Sequence, residues 1–310
     1  MSTNRIAVYG HRGWAGSRIV DGLIASGAPI TVLYRPGSDV SRFPESVSKI
    51  EVDVADEESL IRALEDADIV ISLVGHDGIE TQHDFIKAIP KTNVKLFSPS
   101  KLAAAYDEQG LRIPLNKAKK EVEQLAKATG VPTTVVQLGN FAEFALNTPA
   151  MGVDVSGNRL VHSGNSSEER LNLCTRKYVA AAYASIFPST PIALLGNRVI
   201  TISELTPTGN DVAAALQAKY GVAPKITVHS MEKVNAEVEE GLKVGSPFTL
   251  SWYCRKIWGT GQVSRMVGND VWDVKGYEKA TLRDLIVDSK LDTYRELPPE
   301  FTKYLLDTFQ

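Results

Sequence analysis

Short runs of apolar and β-branched residues recur through the first half of the chain, at residues 5–9, 30–34, 49–52, 68–74, 94–97 and 133–136. Most of these runs have the length and composition of buried strands. Between several of them the apolar residues repeat with helical spacing, as in Ile19, Val20, Leu23 and Ile24. Strands that alternate with amphipathic helices indicate an α/β fold with a doubly wound parallel sheet that is covered on both faces.

The pattern changes after about residue 150. Loops become longer, and they separate two helical stretches at 178–186 and 211–220 from an isolated strand at 199–202. We therefore predict a sheet domain over residues 1–150. Residues 151–310 are predicted to form mainly a smaller, discontinuous C-terminal substrate lobe, with some segments that return to the sheet.

Composition and charge narrow the kind of ligand. The 310 residues include 34 Lys and Arg against 37 Asp and Glu, and the basic residues are scattered, so no nucleic-acid partner is expected. No apolar run has the length of a membrane helix and no leader pattern is present, so a cytoplasmic protein is expected. Two cysteines without paired spacing suggest a reducing compartment. The histidines show no metal-ligand spacing, so no metal is expected and a small molecule is the predicted ligand.

Three glycines, Gly10, Gly13 and Gly16, connect the first predicted strand to the first predicted helix. Such a helix N-terminus presents unpaired N–H groups to a pyrophosphate, and glycines let the backbone approach closely. The GxxGxxG spacing, in place of GxGxxG, indicates a Rossmann-type domain of the short-chain dehydrogenase lineage. The alternative is a tight turn without a ligand. The expected cofactor contacts in this turn are Gly10, Arg12, Gly13, Trp14, Ala15 and Gly16.

The residue after the second predicted strand indicates which dinucleotide is bound. NAD-binding proteins usually place Asp or Glu there, roughly 20 residues past the glycines, to accept a hydrogen bond from the ribose. This chain has Arg35, whose guanidinium suits a 2′-phosphate. NADP(H) is therefore favoured as the cofactor, with Arg12 as a second phosphate contact. The alternative for Arg35 is a solvated loop arginine.

Further cofactor contacts are expected at the ends of the next strands. Asp53 follows the third strand, where it could meet the adenine amino group or cap the next helix. The fourth strand ends at Leu73, Val74 and Gly75, the edge where ligands bind in open α/β sheets.

Three later segments, together with the glycine turn, resemble the NmrA-like family of atypical short-chain dehydrogenases, which includes the isoflavone reductase and phenylcoumaran benzylic ether reductase group. The segments are Lys-Leu-Phe-Ser-Pro-Ser at 95–100, the lysine-bearing stretch 119–123 leading to Gly-Val-Pro-Thr-Thr at 130–134, and Gly-Asn-Phe at 139–141. Two departures stand out. Arg12 replaces the family's usual Thr, and Lys-Leu-Ala at 101–103 replaces the common Glu-Phe-Gly.

Lys119 is the candidate catalytic residue. Helical geometry puts Lys119 about 70° from the apolar stripe of its helix, whereas Lys117 and Lys120 lie beyond about 120°. The resemblance selects the same lysine and implies that it acts as a general acid or base, or holds the ribose hydroxyls of the cofactor. Leu115 occupies the position of the superfamily's tyrosine acid. The alternative is a lysine that only edges the helix.

The remaining candidates surround a predicted substrate cleft. Ser98 and Ser100 end the fifth strand, where a superfamily serine would polarise a substrate oxygen; Ser98 is assigned to the cofactor and Ser100 to the substrate. His76 follows the fourth strand and could contact substrate or cap a helix. The resemblance places Asn140 and Phe141 at the substrate mouth, and Phe144 could contribute to an apolar wall.

Taken together, these residues predict an NADP(H)-dependent oxidoreductase that transfers hydride to a small aromatic or conjugated substrate. The alternative is a non-catalytic NADP(H) sensor that contacts a regulatory protein partner, as the resemblance also allows. Loss of the tyrosine at Leu115 favours the sensor, whereas retention of Lys119 favours the enzyme. An epimerase that holds NAD is disfavoured by Arg35.

Overall fold

A computed structural model describes residues 3–310, and its centre is a parallel sheet. Five strands lie in the order β3-β2-β1-β4-β5, and all neighbours are parallel. Ile6 of β1 stands between Ile30 and Ile69 of its two neighbours. The strands are β1 Ile6–Tyr9, β2 Ile30–Tyr34, β3 Ser48–Glu51, β4 Ile69–Ser72 and β5 Leu96–Ser98.

Two more parallel strands continue this sheet. A parallel bridge between Phe97 and Thr133 joins β5 to β6, Thr134–Gln137, which pairs with β11, Arg198–Thr201. Apart from β3 at the edge, these strands contain buried apolar residues, as expected of a sheet with helices on both faces. The predicted fold class, a Rossmann-type doubly wound parallel sheet, is confirmed.

Helices cover both faces of the sheet. On one face, α1 and α6 bury residues such as Leu23 and Tyr183 against β1. On the other face, three helices bury residues such as Leu60, Phe85 and Val122. These helices are α1 Trp14–Ala25, α2 Glu57–Ala63, α3 Gln82–Ala88, α4 Pro114–Ala128 and α6 Arg176–Ile186.

A second cluster of elements has its own apolar core, which includes Leu160, Val234 and Trp258. Its strands are β7 Asn140–Phe141, β8 Val153–Asp154, β9 Arg159–Ser163, β10 Leu173–Cys174 and β12 Lys225–His229. Its helices are α5 Ala142–Asn147, α7 Gly209–Tyr220, α8 Met231–Val244, α9 Thr249–Gly259, α10 Gln262–Met266 and α11 Pro299–Asp307. Although α6 and β11 follow residue 150, they pack with the sheet. Segments of the sheet and of the second cluster therefore alternate along the chain. The division into domains at residue 150 stays a prediction.

The turn between β1 and α1 is compressed against the end of β4. Gly10 has a φ of +99°, and a Cβ there would stand 2.6 Å from the carbonyl carbon of Leu73. A Cβ on Gly16 would stand 2.5 Å from the carbonyl oxygen of Gly10. Glycine is therefore required at both positions by packing alone.

Within residues 3–310, none of the helices combines the length and the apolar character that a bilayer crossing requires.

The packing of the glycine turn gives a stability prediction. Gly16→Ala should lower the free energy of unfolding by about 1–3 kcal/mol, because the added methyl group meets backbone atoms that cannot move freely. Urea denaturation followed by circular dichroism would measure the loss. Gly75→Ala is the control, since Gly75 has extended backbone and its Cβ would meet nothing within 4 Å. Equal stability of the two variants would contradict the packing argument.

Candidate functional site

Two adjoining cavities lie along the carboxyl edge of the sheet. One has a volume of about 570 Å³ and contains Arg12 and Arg35, and we call it the arginine cavity. The other has a volume of about 680 Å³ and contains Lys119, and we call it the lysine cavity. Gly13, Val74 and Gly75 line both, so the two cavities form one continuous cleft.

The arginine cavity carries two cations without acidic partners. Within residues 3–310, no carboxylate lies within 4.0 Å of Arg12 or Arg35. Tyr9 lines the same cavity. Burial raises the pKa of Tyr9, and the charges of Arg35 and Arg12 act in the opposite direction. Ser38 lines the same wall and adds a hydroxyl, whereas the Thr81 hydroxyl donates a hydrogen bond of 2.7 Å to the carbonyl of Gly78. Such a set of donors suits a phosphoryl group.

The N-terminus of α1 lies where the two cavities meet. Its N-cap residue is Gly13, and no side chain caps the helix, so the N–H groups of the first turn are not bonded by a cap. The positive end of the helix dipole adds to this site for an anion. The backbone therefore fits a diphosphate between the two cavities, and the arginine cavity fits a nucleoside with an additional phosphate.

Lys119 extends from α4 into the lysine cavity. Its amine donates a hydrogen bond of 2.7 Å to the carbonyl oxygen of Lys101. Burial and, to a smaller extent, the nearby Lys101 ammonium lower the pKa of Lys119 to about 8, against the opposing effect of Glu123. A lysine with a pKa near neutrality exchanges a proton readily with a bound molecule, which suits general acid catalysis.

A buried ion pair supports Lys119 from behind. The side chain of Lys101 is only 3% exposed, and its amine lies 2.9 Å from a carboxylate oxygen of Glu123. Lys120 contacts the other oxygen of Glu123 at 3.2 Å. The ion pair holds the Lys101 side chain against α4, and the backbone carbonyl of Lys101 fixes the direction of the Lys119 amine.

The structure brings most of the residues proposed from the sequence into the cleft. Gly10, Arg12 and Arg35 line the arginine cavity. The lysine cavity is lined by Gly13, Trp14, Ala15, Gly16, Leu73, Val74, Gly75, His76, Ser100, Lys119, Asn140, Phe141 and Phe144. Leu115 also lines the lysine cavity. An aliphatic side chain is therefore present at the position that the tyrosine acid occupies in the wider superfamily.

Asp53 and Ser98 are not among the residues that line either cavity. The carboxylate of Asp53 accepts a hydrogen bond from the N–H of Ala55 within its own loop, and Asp56 caps α2 instead. Ser98 is fully buried in β5, and its hydroxyl faces Tyr183 of α6. Both side chains point away from the cleft. The position of each residue near the end of a strand did not indicate this direction.

Ser100 and His76 both line the lysine cavity, but their contacts differ. The Ser100 hydroxyl donates a hydrogen bond of 2.7 Å to the carbonyl of Val74, so it joins the ends of two strands. His76 begins a short 3-10 helix, His76–Thr81. Desolvation holds the pKa of His76 below its usual range, and the positive charges of Lys119 and Arg295 add to this effect. His76 is therefore neutral at pH 7.

With this geometry established, comparison with known proteins gives the family. The model of the NmrA-like family matches residues 2–244. The chain belongs to the NmrA-like family. The resemblance inferred from the glycine turn and the three later segments is thereby confirmed, and it extends beyond the first 150 residues.

Curated relatives of this NmrA-like protein include plant reductases. It is 32% identical over 160 residues to the phenylcoumaran benzylic ether reductase Pyrc5 of Pyrus communis, covering 47% of this chain and 52% of the relative. It is 33% identical over 164 residues to phenylcoumaran benzylic ether reductase 1 of Arabidopsis thaliana, covering 48% and 53%. The matched region thus spans about half the length of these relatives.

Solved structures share the fold over nearly the whole chain. A crystal structure of isoflavone reductase has a TM-score of 0.77 and 23% identity, and covers 93% of this chain and all of its own. A complex of AtPrR2 with NADP+ and (+)pinoresinol has a TM-score of 0.70 and 18% identity, with 98% of each chain covered. Because both sequence identities are below 25%, the structural similarity shows only that these proteins share a fold with this chain.

Several residues of the cleft were not predicted from the sequence of this NmrA-like protein. Ser38 stands three residues after Arg35, in a turn closed by a backbone hydrogen bond between them, and its place after β2 was the available signal. The sequence marks Lys101 only as a departure from the pattern of the family and does not indicate its ion pair. Tyr294 and Arg295 come from the C-terminal segment, and no motif there indicated a role.

The buried ion pair behind Lys119 gives a pH prediction. Lys101→Met should raise the pKa of Lys119 from about 8 towards its ordinary value, because it removes a neighbouring positive charge and frees Glu123 to stabilise the ammonium. The pH dependence of Lys119 modification by an amine-reactive reagent, followed by mass spectrometry, reports this pKa. Lys117→Met is the control, since Lys117 is exposed and pairs with Glu121. An unchanged profile in the Lys101 variant would refute the coupling.

Proposed function

We propose that this protein is an NADP(H)-dependent oxidoreductase that reduces small aromatic or conjugated molecules. The observation that carries the proposal is the continuous cleft, which places Arg12 and Arg35 at one end, a helix N-terminus in the middle and Lys119 at the other end. The order of these groups matches a phosphorylated dinucleotide followed by a reaction chamber.

The arginine cavity supports NADP(H) as the cofactor. Arg35 follows β2, where an acidic residue would favour NAD(H), and no carboxylate of residues 3–310 lies within 4.0 Å of its guanidinium. Arg12 approaches the same cavity from the glycine turn. Solved structures with the same fold include leucoanthocyanidin reductase with NADPH, which is consistent with this assignment.

The lysine cavity supplies the acid that such a reduction requires. When bound, NADPH supplies two electrons as a hydride, so each turnover also consumes one proton. Lys119 carries that proton on a side chain whose pKa is near 8, so its ammonium form predominates at neutral pH. Its hydrogen bond to Lys101 leaves the other N–H groups for a substrate oxygen or carbon. Solvent then returns the proton to Lys119.

The walls of the lysine cavity favour an aromatic or conjugated substrate. Phe141 and Phe144 line it, and Trp14 contacts Phe141 edge to face with ring centroids 5.1 Å apart. Aromatic walls bind flat apolar molecules and exclude water from the reacting atoms. Curated relatives named for reduction of phenylcoumaran benzylic ethers agree with such a substrate.

Removal of the Arg35 guanidinium tests the choice of cofactor. Arg35→Gln should weaken NADPH binding by about 10- to 100-fold, as expected for loss of a charge-assisted contact, and leave NADH binding nearly unchanged. Calorimetric titration with each dinucleotide would measure both affinities. Arg62→Gln makes the same change on the surface of α2 and serves as the control. Equal losses for NADPH and NADH would exclude recognition of the 2′-phosphate by Arg35.

Removal of the Lys119 amine tests the catalytic role. Lys119→Met should lower turnover by about 10²- to 10⁴-fold, because the proton donor is lost, while the affinity for NADPH stays within a few fold. NADPH oxidation across a panel of quinones, enones and benzylic ethers would provide the rates, with Lys117→Met as the control. In the native protein, turnover should fall as the pH rises through about 8 and Lys119 loses its proton. NADPH binding without turnover of any acceptor would instead favour the redox sensor.

A further inference from the structure

The C-terminal segment forms one wall of the lysine cavity. Five of its residues line the cavity, namely Tyr294, Arg295, Leu297, Pro298 and Phe301. Together with Phe141 and Phe144 they make this wall rich in aromatic and aliphatic side chains. All five residues lie beyond residue 244, where the match to the NmrA-like family ends.

The charged side chains that line the lysine cavity are all basic. Among the described residues that line it there is no Asp or Glu, and its lysine and arginine residues are Arg112, Lys119 and Arg295. Glu239 neutralises Arg112, since both carboxylate oxygens lie 3.0 Å from the same guanidinium nitrogen. The amine of Lys119 is directed to the carbonyl of Lys101.

Arg295 differs from both of these cations. Within residues 3–310, no carboxylate lies within 4.0 Å of its guanidinium, whose neighbour is the ring of Tyr294 at 5.6 Å. A guanidinium keeps its charge at all physiological pH values. Arg295 is thus a permanent positive charge at the edge of an apolar cavity, without a counter-charge from the described chain.

The backbone immediately before Arg295 is anchored by three contacts, whereas the Arg295 side chain itself is exposed. Asp292 forms an ion pair of 3.1 Å with Lys177 of α6. The Thr293 carbonyl accepts a hydrogen bond of 3.2 Å from the Trp14 indole. The Tyr294 N–H donates to the side chain of Asn147 at 3.0 Å.

The ring of Tyr294 adds packing to these polar anchors. Its centroid lies 4.9 Å from that of Trp14 and 5.6 Å from that of Phe144. His76, Lys119 and Arg295 line the same cavity, and the charges of Lys119 and Arg295 both add to the lowering of the His76 pKa. An anion bound by Arg295 would therefore lie in the same cavity as the proposed catalytic lysine.

We propose that the substrate of this protein is an aromatic or conjugated molecule that carries a carboxylate, and that Arg295 binds this carboxylate. The inference rests on the proposed function, because it names the substrate class of the same cleft. The apolar walls bind the body of the molecule, and a guanidinium matches the planar carboxylate with paired donors. Acidic side chains near the carboxylate would oppose its binding, and none lines the cavity among the described residues.

The phosphates of a dinucleotide are the competing ligand for Arg295. Arg12 and Arg35 line the arginine cavity, whereas Arg295 lines only the lysine cavity. The N-terminus of α1 supplies a separate site for a diphosphate. The placement of Arg295 thus favours the substrate.

A matched pair of probes tests the proposal by binding. Naphthalene-2-carboxylate and its uncharged carboxamide would be titrated calorimetrically into the protein, without and with saturating NADP+. The native protein should bind the carboxylate more tightly than the carboxamide. Arg295→Gln should weaken carboxylate binding roughly tenfold and leave the carboxamide unchanged. Arg295→Lys should retain part of the preference, since the charge remains.

The controls separate this proposal from the proposed function. Arg283→Gln makes the same charge change on a side chain that is 75% exposed and outside the cavity lining, and should bind both probes like the native protein. Equal affinity of the native protein for the two probes would overturn the proposal. It would also be overturned if Arg295→Gln weakened NADP+ binding as much as carboxylate binding. Failure of the native protein to bind NADP(H) would refute the proposed cofactor, while the carboxylate preference measured without NADP+ would still stand.

Discussion

A Cβ atom at Gly16 would stand 2.5 Å from the carbonyl oxygen of Gly10, and one at Gly10 would stand 2.6 Å from the carbonyl carbon of Leu73. This contact brings the N-terminus of α1 against the end of β4, and the rest of the cleft depends on it. Because no side chain separates the two backbones, Gly13 and Val74 line both cavities and the cleft is continuous. The same glycines that suit an anion site are thus required by packing.

Electrostatics divides the cleft into two parts. In the arginine cavity, exposed guanidinium groups stand beside the uncapped helix N-terminus, and the positive potential suits a phosphorylated ligand. In the lysine cavity, burial acts on the charged groups themselves. It lowers the pKa of Lys119, and the ion pair between Lys101 and Glu123 keeps a second cation nearby. One end of the cleft is therefore organised for binding and the other for proton transfer.

Lys101 and the C-terminal segment show how a shared fold can acquire its own chemistry. Lys101 follows β5 and its partner Glu123 lies on α4, so the ion pair couples the end of β5 to the helix that carries Lys119. Arg295 lies outside the family match and reaches the cavity through the anchors at Asp292, Thr293 and Tyr294. Both features change the charge of the cleft without altering the sheet.

The sequence alone determined the parallel sheet, the glycine turn, the residue after β2 and the choice of Lys119 among neighbouring lysines. These features depend on periodicity and on positions at the ends of strands, which are local properties of the chain. Only the tertiary structure decided that Ser98 faces Tyr183 inside the core, that Asp53 bonds within its own loop, and that Arg295 joins the cavity of Lys119. Side-chain direction and contacts between distant segments arise from packing of the whole chain, and no local pattern encodes them.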